Sequence, residues 1–77
     1  GWVHYKLGNY PVAVELLEKA TTLEPADPVI FDHLGDAYWR LNRYAEARHM
    51  WTFAIDQSND QELTDTMRKK LSNGLKP

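Results

Sequence analysis

The chain has 77 residues, of which 43% are hydrophobic and 26% charged, so it suffices for one small domain and is too apolar for a disordered segment. Its net charge of −2 predicts no basic face for nucleic acid, and its lack of cysteine excludes disulfides and thiolate metal sites. No apolar run approaches the roughly 20 residues that cross a bilayer, so no membrane insertion is expected.

The first two predicted helices meet at Gly8. Residues 1–8 have the pattern of the second half of a helix, and Gly8 ends it because glycine tolerates positive φ. The second helix is predicted from Tyr10 or Pro11 to Leu23, because proline suits the first helical turn. A packed stripe at i, i+4, i+7 is predicted from Ala13, Leu17 and Ala20.

The third helix is predicted over residues 28–41, with Asp27 as its N-cap and proline at its first position. Its apolar spacing predicts a buried stripe of Ile30, Leu34, Ala37, Tyr38 and Leu41.

The fourth helix, over residues 44–57, follows a tight turn at residues 42–43 and repeats the small–large–small stripe as Ala47, Trp51 and Ala54.

The fifth helix is predicted over residues 60–73, with Asn59 and Glu62 forming a capping box. Its one narrow seam of Leu63, Met67 and Leu71 is typical of a helix that covers the end of a stack. Residues 75–77 are expected to be loose.

An internal repeat supports this division. Sliding the chain along itself until Gly1 meets Gly35 superimposes five identical pairs, whereas composition alone predicts one or two in the first 25. The pairs are Gly1 with Gly35, Leu7 with Leu41, Tyr10 with Tyr44, Ala13 with Ala47, and Ala20 with Ala54.

The landmarks of residues 31–54 fit the pattern W-x2-L-G-x2-Y followed by A-x3-F, with Phe for Trp and Trp for Phe. They are Phe31, Leu34, Gly35, Tyr38, Ala47, Trp51 and Ala54. On these residues, and on the offset between its identical pairs, the chain resembles a tetratricopeptide repeat (TPR) array, whose period is about 34 residues. It departs from the family at Asn59, where proline is usual, and at His4, where an aromatic residue is expected.

The resemblance implies an all-α fold of about five helices, arranged as antiparallel helix-turn-helix repeats in a right-handed superhelical stack. Residues 1–26 would form a truncated repeat, 27–59 a complete repeat, and 60–77 a C-terminal capping helix and tail. The segments LGDAYWRL and KKLSNGL are similar to the C-terminal end of bacterial TPR arrays. Together with glycine rather than methionine at position 1, this favours a fragment, with the compartment left open between cytoplasm and periplasm.

The resemblance also implies a concave groove, lined by the first helix of each pair, that binds a protein or peptide. The candidate groove residues are Trp2, Tyr5, Lys6, Val29, Asp32, His33, Asp36, Trp39, Arg40, Thr66 and Lys70. Other interpretations compete: the aromatic rings of Tyr5 and Trp39 could pack against neighbouring helices. Asp32, Asp36 and Arg40, spaced i, i+4, i+8, could form only solvated pairs within one helix.

The chemistry of the partner is constrained by charge. One TPR subgroup binds the C-terminal carboxylates of chaperones through Lys and Asn on these helix faces. Here Asp32 and Asp36 would repel an acidic terminus, which favours a basic or neutral polar partner.

No catalytic, metal or cofactor site is predicted. His4, His33 and His49 form no metal-binding pattern, and the chain has no nucleophile motif and no phosphate-binding glycine loop.

Two other functions stay open. Val3, Leu7, Val14 and Tyr10, if left without upstream partners, would favour self-association or closure of a longer array. An RNA-binding helical repeat is the third hypothesis, and the lack of a positive stripe disfavours it.

Overall fold

The computed structural model describes residues 1–76 and contains five helices and no strand within that range. The helices are α1 (Trp2–Lys6), α2 (Tyr10–Leu23), α3 (Pro28–Arg40), α4 (Tyr44–Gln57) and α5 (Gln61–Asn73). Short turns join successive helices, which pack side by side as antiparallel neighbours. The predicted all-α, TPR-like stack of helix-turn-helix units is confirmed.

The helix ends follow from local chemistry. Gly8 and Asn42 lie in the turns that follow α1 and α3, and their φ angles of 80° and 62° are in the left-handed region, which ends a helix. The carboxylate of Asp27 accepts a hydrogen bond from the Val29 N–H at 2.9 Å, as predicted for an N-cap.

The predicted capping box of Asn59 and Glu62 is wrong. Asp60 caps α5 instead, because its carboxylate accepts from the N–H groups of Glu62 at 3.0 Å and Leu63 at 3.2 Å. An ionised carboxylate is a stronger acceptor than an amide at a helix N-terminus.

Small residues lie at the points where helices approach most closely. Ala13, Ala47 and Ala54 are fully buried, as their spacing predicts. Ala20 is only half-buried, since the last turn of α2 emerges from the core and leaves Leu23 79% exposed.

Trp51 is the largest fully buried side chain, and it packs on the backbone of α3 at Gly35. A Cβ at Gly35 would lie 2.5 Å from the Trp51 Nε1 atom, so only glycine permits the contact. The same relation recurs one repeat earlier, where a Cβ on Gly1 would lie 2.9 Å from Leu17 Cγ. The sequence repeat is therefore a repeat of one packing geometry.

A buried ion-pair cluster joins α5 to α3. The Lys70 ammonium lies 2.8 Å from Asp32 Oδ1 and 3.0 Å from Asp36 Oδ1. Both carboxylate side chains are 9% exposed. The Trp51 indole N–H adds a hydrogen bond to Asp36 Oδ1 at 3.2 Å. The expected solvated pairs within α3 are therefore wrong for both aspartates, which instead bind the cap helix.

One ammonium shared by two buried carboxylates leaves the cluster one negative charge in excess. Burial raises the pKa of Asp36 to about 6, and the charge of Asp32 adds to that rise, while Lys70 opposes it. The pKa of Lys70 is raised by its two carboxylate partners, which outweigh the effect of its own burial. Lys70 therefore stays charged, and Asp36 is the group that accepts a proton as pH falls.

We expect Gly35→Ala to destabilise the fold. Alanine gains up to about 1 kcal/mol of helix propensity, but overpacking a closed core costs about 1–3 kcal/mol, so a net loss near 1–2 kcal/mol is expected. Urea unfolding followed by far-UV circular dichroism measures it. In the double variant with Trp51→Phe, the loss should be smaller than the sum of the single losses, because the smaller ring relieves the clash. Additive losses would contradict this contact.

We expect Asp36 to make stability fall as pH rises. Its folded pKa lies above its unfolded value, so the folded state binds more protons in the window between those values, from about pH 4 to about pH 6. Relative to Asp36→Asn, which keeps an acceptor for the Trp51 indole, the wild type should lose on the order of 2 kcal/mol across this window. Urea unfolding at several pH values checks it. The exposed Asp65→Asn is the control, and equal pH profiles for the wild type and Asp36→Asn would contradict it.

Candidate functional site

The predicted groove residues lie on α1, α3 and α5, the first helices of successive units. The contacts show that α1 runs parallel to α3: Trp2 at the start of α1 meets His33 in the middle of α3, and Tyr5 meets Arg40 at the end of α3. Lys70, near the end of α5, meets Asp32 and Asp36 of α3. We call the surface along α1, α3 and α5 the first-helix face.

An aromatic cluster forms its α1–α3 part. The Trp2 ring stacks on His33 with centroids 3.7 Å apart and on Tyr5 with centroids 4.4 Å apart. All three rings are half-buried, so each keeps an accessible edge or face. Burial lowers the pKa of His33, with smaller opposing effects from Asp32 and Asp27. At neutral pH the cluster is therefore an uncharged aromatic surface.

Arg40 anchors the far end of this part. Its Nε donates a hydrogen bond to the Tyr5 hydroxyl at 3.3 Å, which joins α3 to α1. Its guanidinium also donates to the backbone carbonyl of Lys76. Arg40 therefore makes no solvated pair within α3, contrary to that interpretation, and it holds two separate segments of the chain.

Asp32, Asp36 and Lys70 lie beneath the first-helix face. They satisfy one another in the buried cluster, and among the described residues every fully buried side-chain N or O atom has a hydrogen-bond partner. The two carboxylates are thus neutralised in part by Lys70 and shielded from solvent. Burial and the charge of Lys70 therefore reduce, but do not remove, the repulsion that we expected between these carboxylates and an acidic partner.

Trp39 belongs to both the core and the surface. Its ring centroid lies 5.7 Å from that of Trp51 and 4.3 Å from that of Tyr44. The Arg48 guanidinium carbon lies 5.3 Å from the ring, within range of a cation–π contact. The Trp39 side chain is nevertheless only half-buried, and it reaches the surface at the end of α3, beside Arg40.

The remaining candidates lie at the margins. Lys6 and Thr66 are exposed, and Val29 is 43% exposed. The Thr66 hydroxyl donates to the Glu62 carbonyl at 3.0 Å, within its own helix. These side chains lie outside the aromatic cluster and the ion-pair cluster.

The C-terminal tail plays a part that its sequence did not lead us to predict. Residues 75–77 were expected to be loose, but Leu75 packs against the core and Lys76 accepts from Arg40; Pro77 lies outside the described residues. The signal in the sequence is Leu75, an apolar residue directly after the glycine that ends α5. An apolar residue in that place commonly packs back onto its own helix.

Within residues 1–76, no group of three or more His, Asp or Glu side chains is arranged to hold a metal ion. In the same range, no helix is long and apolar enough to span a bilayer.

Comparison with protein families finds two matches. A family model described as TPR repeat matches residues 1–42, and one described as tetratricopeptide repeat matches residues 33–63. No curated protein and no solved structure matches the chain. The first model alone spans more than half of the sequence, and the packing of Gly35 on Trp51 and Gly1 on Leu17 repeats with the period typical of that family. The chain belongs to the tetratricopeptide repeat family.

Proposed function

We propose that this chain is an adaptor that binds a peptide or a partner protein on its first-helix face. TPR repeats generally mediate binding between proteins. The finer assignment rests on the aromatic cluster of Trp2, Tyr5 and His33, which holds uncharged ring surface at a half-buried depth. Aromatic and arginine side chains are enriched among the residues that contribute most binding energy at protein interfaces.

Three parts of the chain have different roles in this function. Residues 1–26 and 27–59 are the two stacked units that present the face, and residues 60–77 are the cap and tail that close it. No catalytic group, cofactor or nucleic acid takes part in this function.

A peptide library supplies the probe for a test. Peptides selected from a random phage-displayed library should shift backbone amide resonances on α1 and α3 in ¹⁵N NMR titrations, and leave those of α2 and α4 largely unmoved. Shifts concentrated on α2 and α4 would overturn the proposal.

Two substitutions of exposed lysines refine the assignment. Lys6→Ala, beside the aromatic cluster, should lower the affinity for a selected peptide by about 5-fold, which corresponds to about 1 kcal/mol of binding free energy. Lys19→Ala, an equally simple change on α2, should leave the affinity unchanged. Isothermal titration calorimetry measures both, and equal effects of the two variants would contradict a site on α1.

Self-association is a second candidate, favoured by one observation. Val3 and Leu7 are 70% and 76% exposed, although Ala37, the repeat equivalent of Val3, is fully buried. Val14, also expected to lack a partner, is buried in the core, and Tyr10 is half-buried. Of the four residues expected to lack a partner, only Val3 of α1 and Leu7 directly after it therefore offer a strongly exposed apolar side chain to a second copy.

Sedimentation velocity over a concentration series distinguishes this candidate. If α1 mediates association, Leu7→Glu should shift the population toward monomer, while Leu23→Glu, at a comparably exposed position on α2, should not. A wild type that stays monomeric at high concentration would count against it.

A further inference from the structure

The C-terminal tail, which we define as residues 74–76, lies across the end of α3. Gly74 ends α5 with φ of 67°. A Cβ at this position would overlap the six-membered ring of Trp39, so glycine is needed both for the backbone angle and for the close approach. The chain thereby turns back onto the first-helix face instead of leaving into solvent.

Two contacts then hold the tail. The half-buried Leu75 side chain packs against the core and lines an open depression of about 380 Å³ together with Trp39, Arg40 and Tyr44. The Arg40 guanidinium donates to the Lys76 carbonyl. Gly74 thus packs on the Trp39 ring, and Leu75 lies in the depression. The Lys76 carbonyl then accepts a hydrogen bond from the Arg40 guanidinium.

These contacts are not specific to a covalently attached segment. Main-chain and single-side-chain contacts of this kind are what an extended peptide from another protein also offers. We call the surface formed by Trp39, Arg40 and Tyr44 the tail site.

The charge around the tail disfavours its own lysine. A second open depression, of about 640 Å³, is lined by Lys69, Lys70 and Lys76, and no carboxylate lines it. Lys70 is bound to the buried aspartates, but Lys69 is exposed. A lysine in the tail therefore lies beside a second exposed cation, Lys69, whereas an acidic residue at that place would meet the opposite charge of Lys69.

We propose that the tail site binds an extended peptide with an apolar side chain followed by an acidic residue, and that the chain's own tail occupies it as a weak internal ligand. This inference rests on the proposed adaptor function and specifies one part of its surface. A partner of this chemistry displaces the tail because it keeps the leucine contact and replaces a like-charge contact by an opposite one.

The test uses the full chain with Leu75→Ser, which removes the apolar anchor of the tail and retains α5 and Gly74. Its probes are synthetic hexapeptides of residues 72–77, amidated at the C-terminus: the natural sequence, the same peptide with Lys76→Glu, and the Lys76→Glu peptide with Leu75→Ser. Binding is followed through the side-chain indole N–H resonance of Trp39.

The Leu75→Ser chain should bind the Lys76→Glu peptide at least 5-fold more tightly than it binds the natural peptide. The Lys76→Glu peptide should also bind this chain at least 5-fold more tightly than it binds the wild type, because the wild-type tail competes for the site. The peptide that lacks leucine should not bind. Adding Arg40→Ala to the Leu75→Ser chain should abolish binding, while adding the exposed Arg68→Ala should not. Leu23→Ser alone, a matched change at an exposed leucine, should leave the chain as resistant to the peptide as the wild type.

Three results would overturn the inference: no shift of Trp39 with any peptide, equal binding with and without the leucine, or equal binding by the wild type. None of them touches the adaptor proposal, because library-selected peptides that shift Trp2 and Tyr5 would still support binding on the α1–α3 part.

Discussion

The indole ring of Trp51 lies against α3 where Gly35 has no side chain, and its N–H donates both to the Asp32 carbonyl and to the Asp36 carboxylate. One residue thereby sets the distance between α3 and α4, fills the space between them and holds a carboxylate in place. That carboxylate in turn meets Lys70 of α5. The close approach at Gly35 thus fixes the position of three helices, and the first-helix face follows from it.

The buried cluster of Asp32, Asp36 and Lys70 shows why a cap helix with a narrow apolar seam can still dock in one register. Apolar contacts of Met67 are non-directional and tolerate sliding along α4 and α3. An ammonium held between two buried carboxylates does not tolerate it, because a shift of one turn would leave charges buried without partners. The cluster therefore favours one position for α5, and with it the starting point of the tail.

Local signals in the sequence predict most of the fold. Pro11 and Pro28 in first helical turns, Asp27 as a cap and the internal repeat predict all five helices, with bounds within a few residues of those observed. The capping of α5 and the pairing of Lys70 depend instead on which of several nearby polar groups is best placed in three dimensions. The pairing of Lys70 could have been predicted from the internal repeat. Asp36 and Lys70 are separated by one full period, and parallel first helices bring equivalent positions together.

That equivalence also explains why the two parts of the face differ. Equivalent positions of the repeat are occupied by Trp2 in α1, Asp36 in α3 and Lys70 in α5. Between α3 and α5 this position forms a buried ion pair, whose charged groups are bonded to each other. Between α1 and α3 it is a half-exposed aromatic ring stacked on a neutral histidine, so apolar surface is offered to a partner there. At the end of α3, Arg40 adds a directional group, and its contact with the Lys76 carbonyl shows how it binds a main chain.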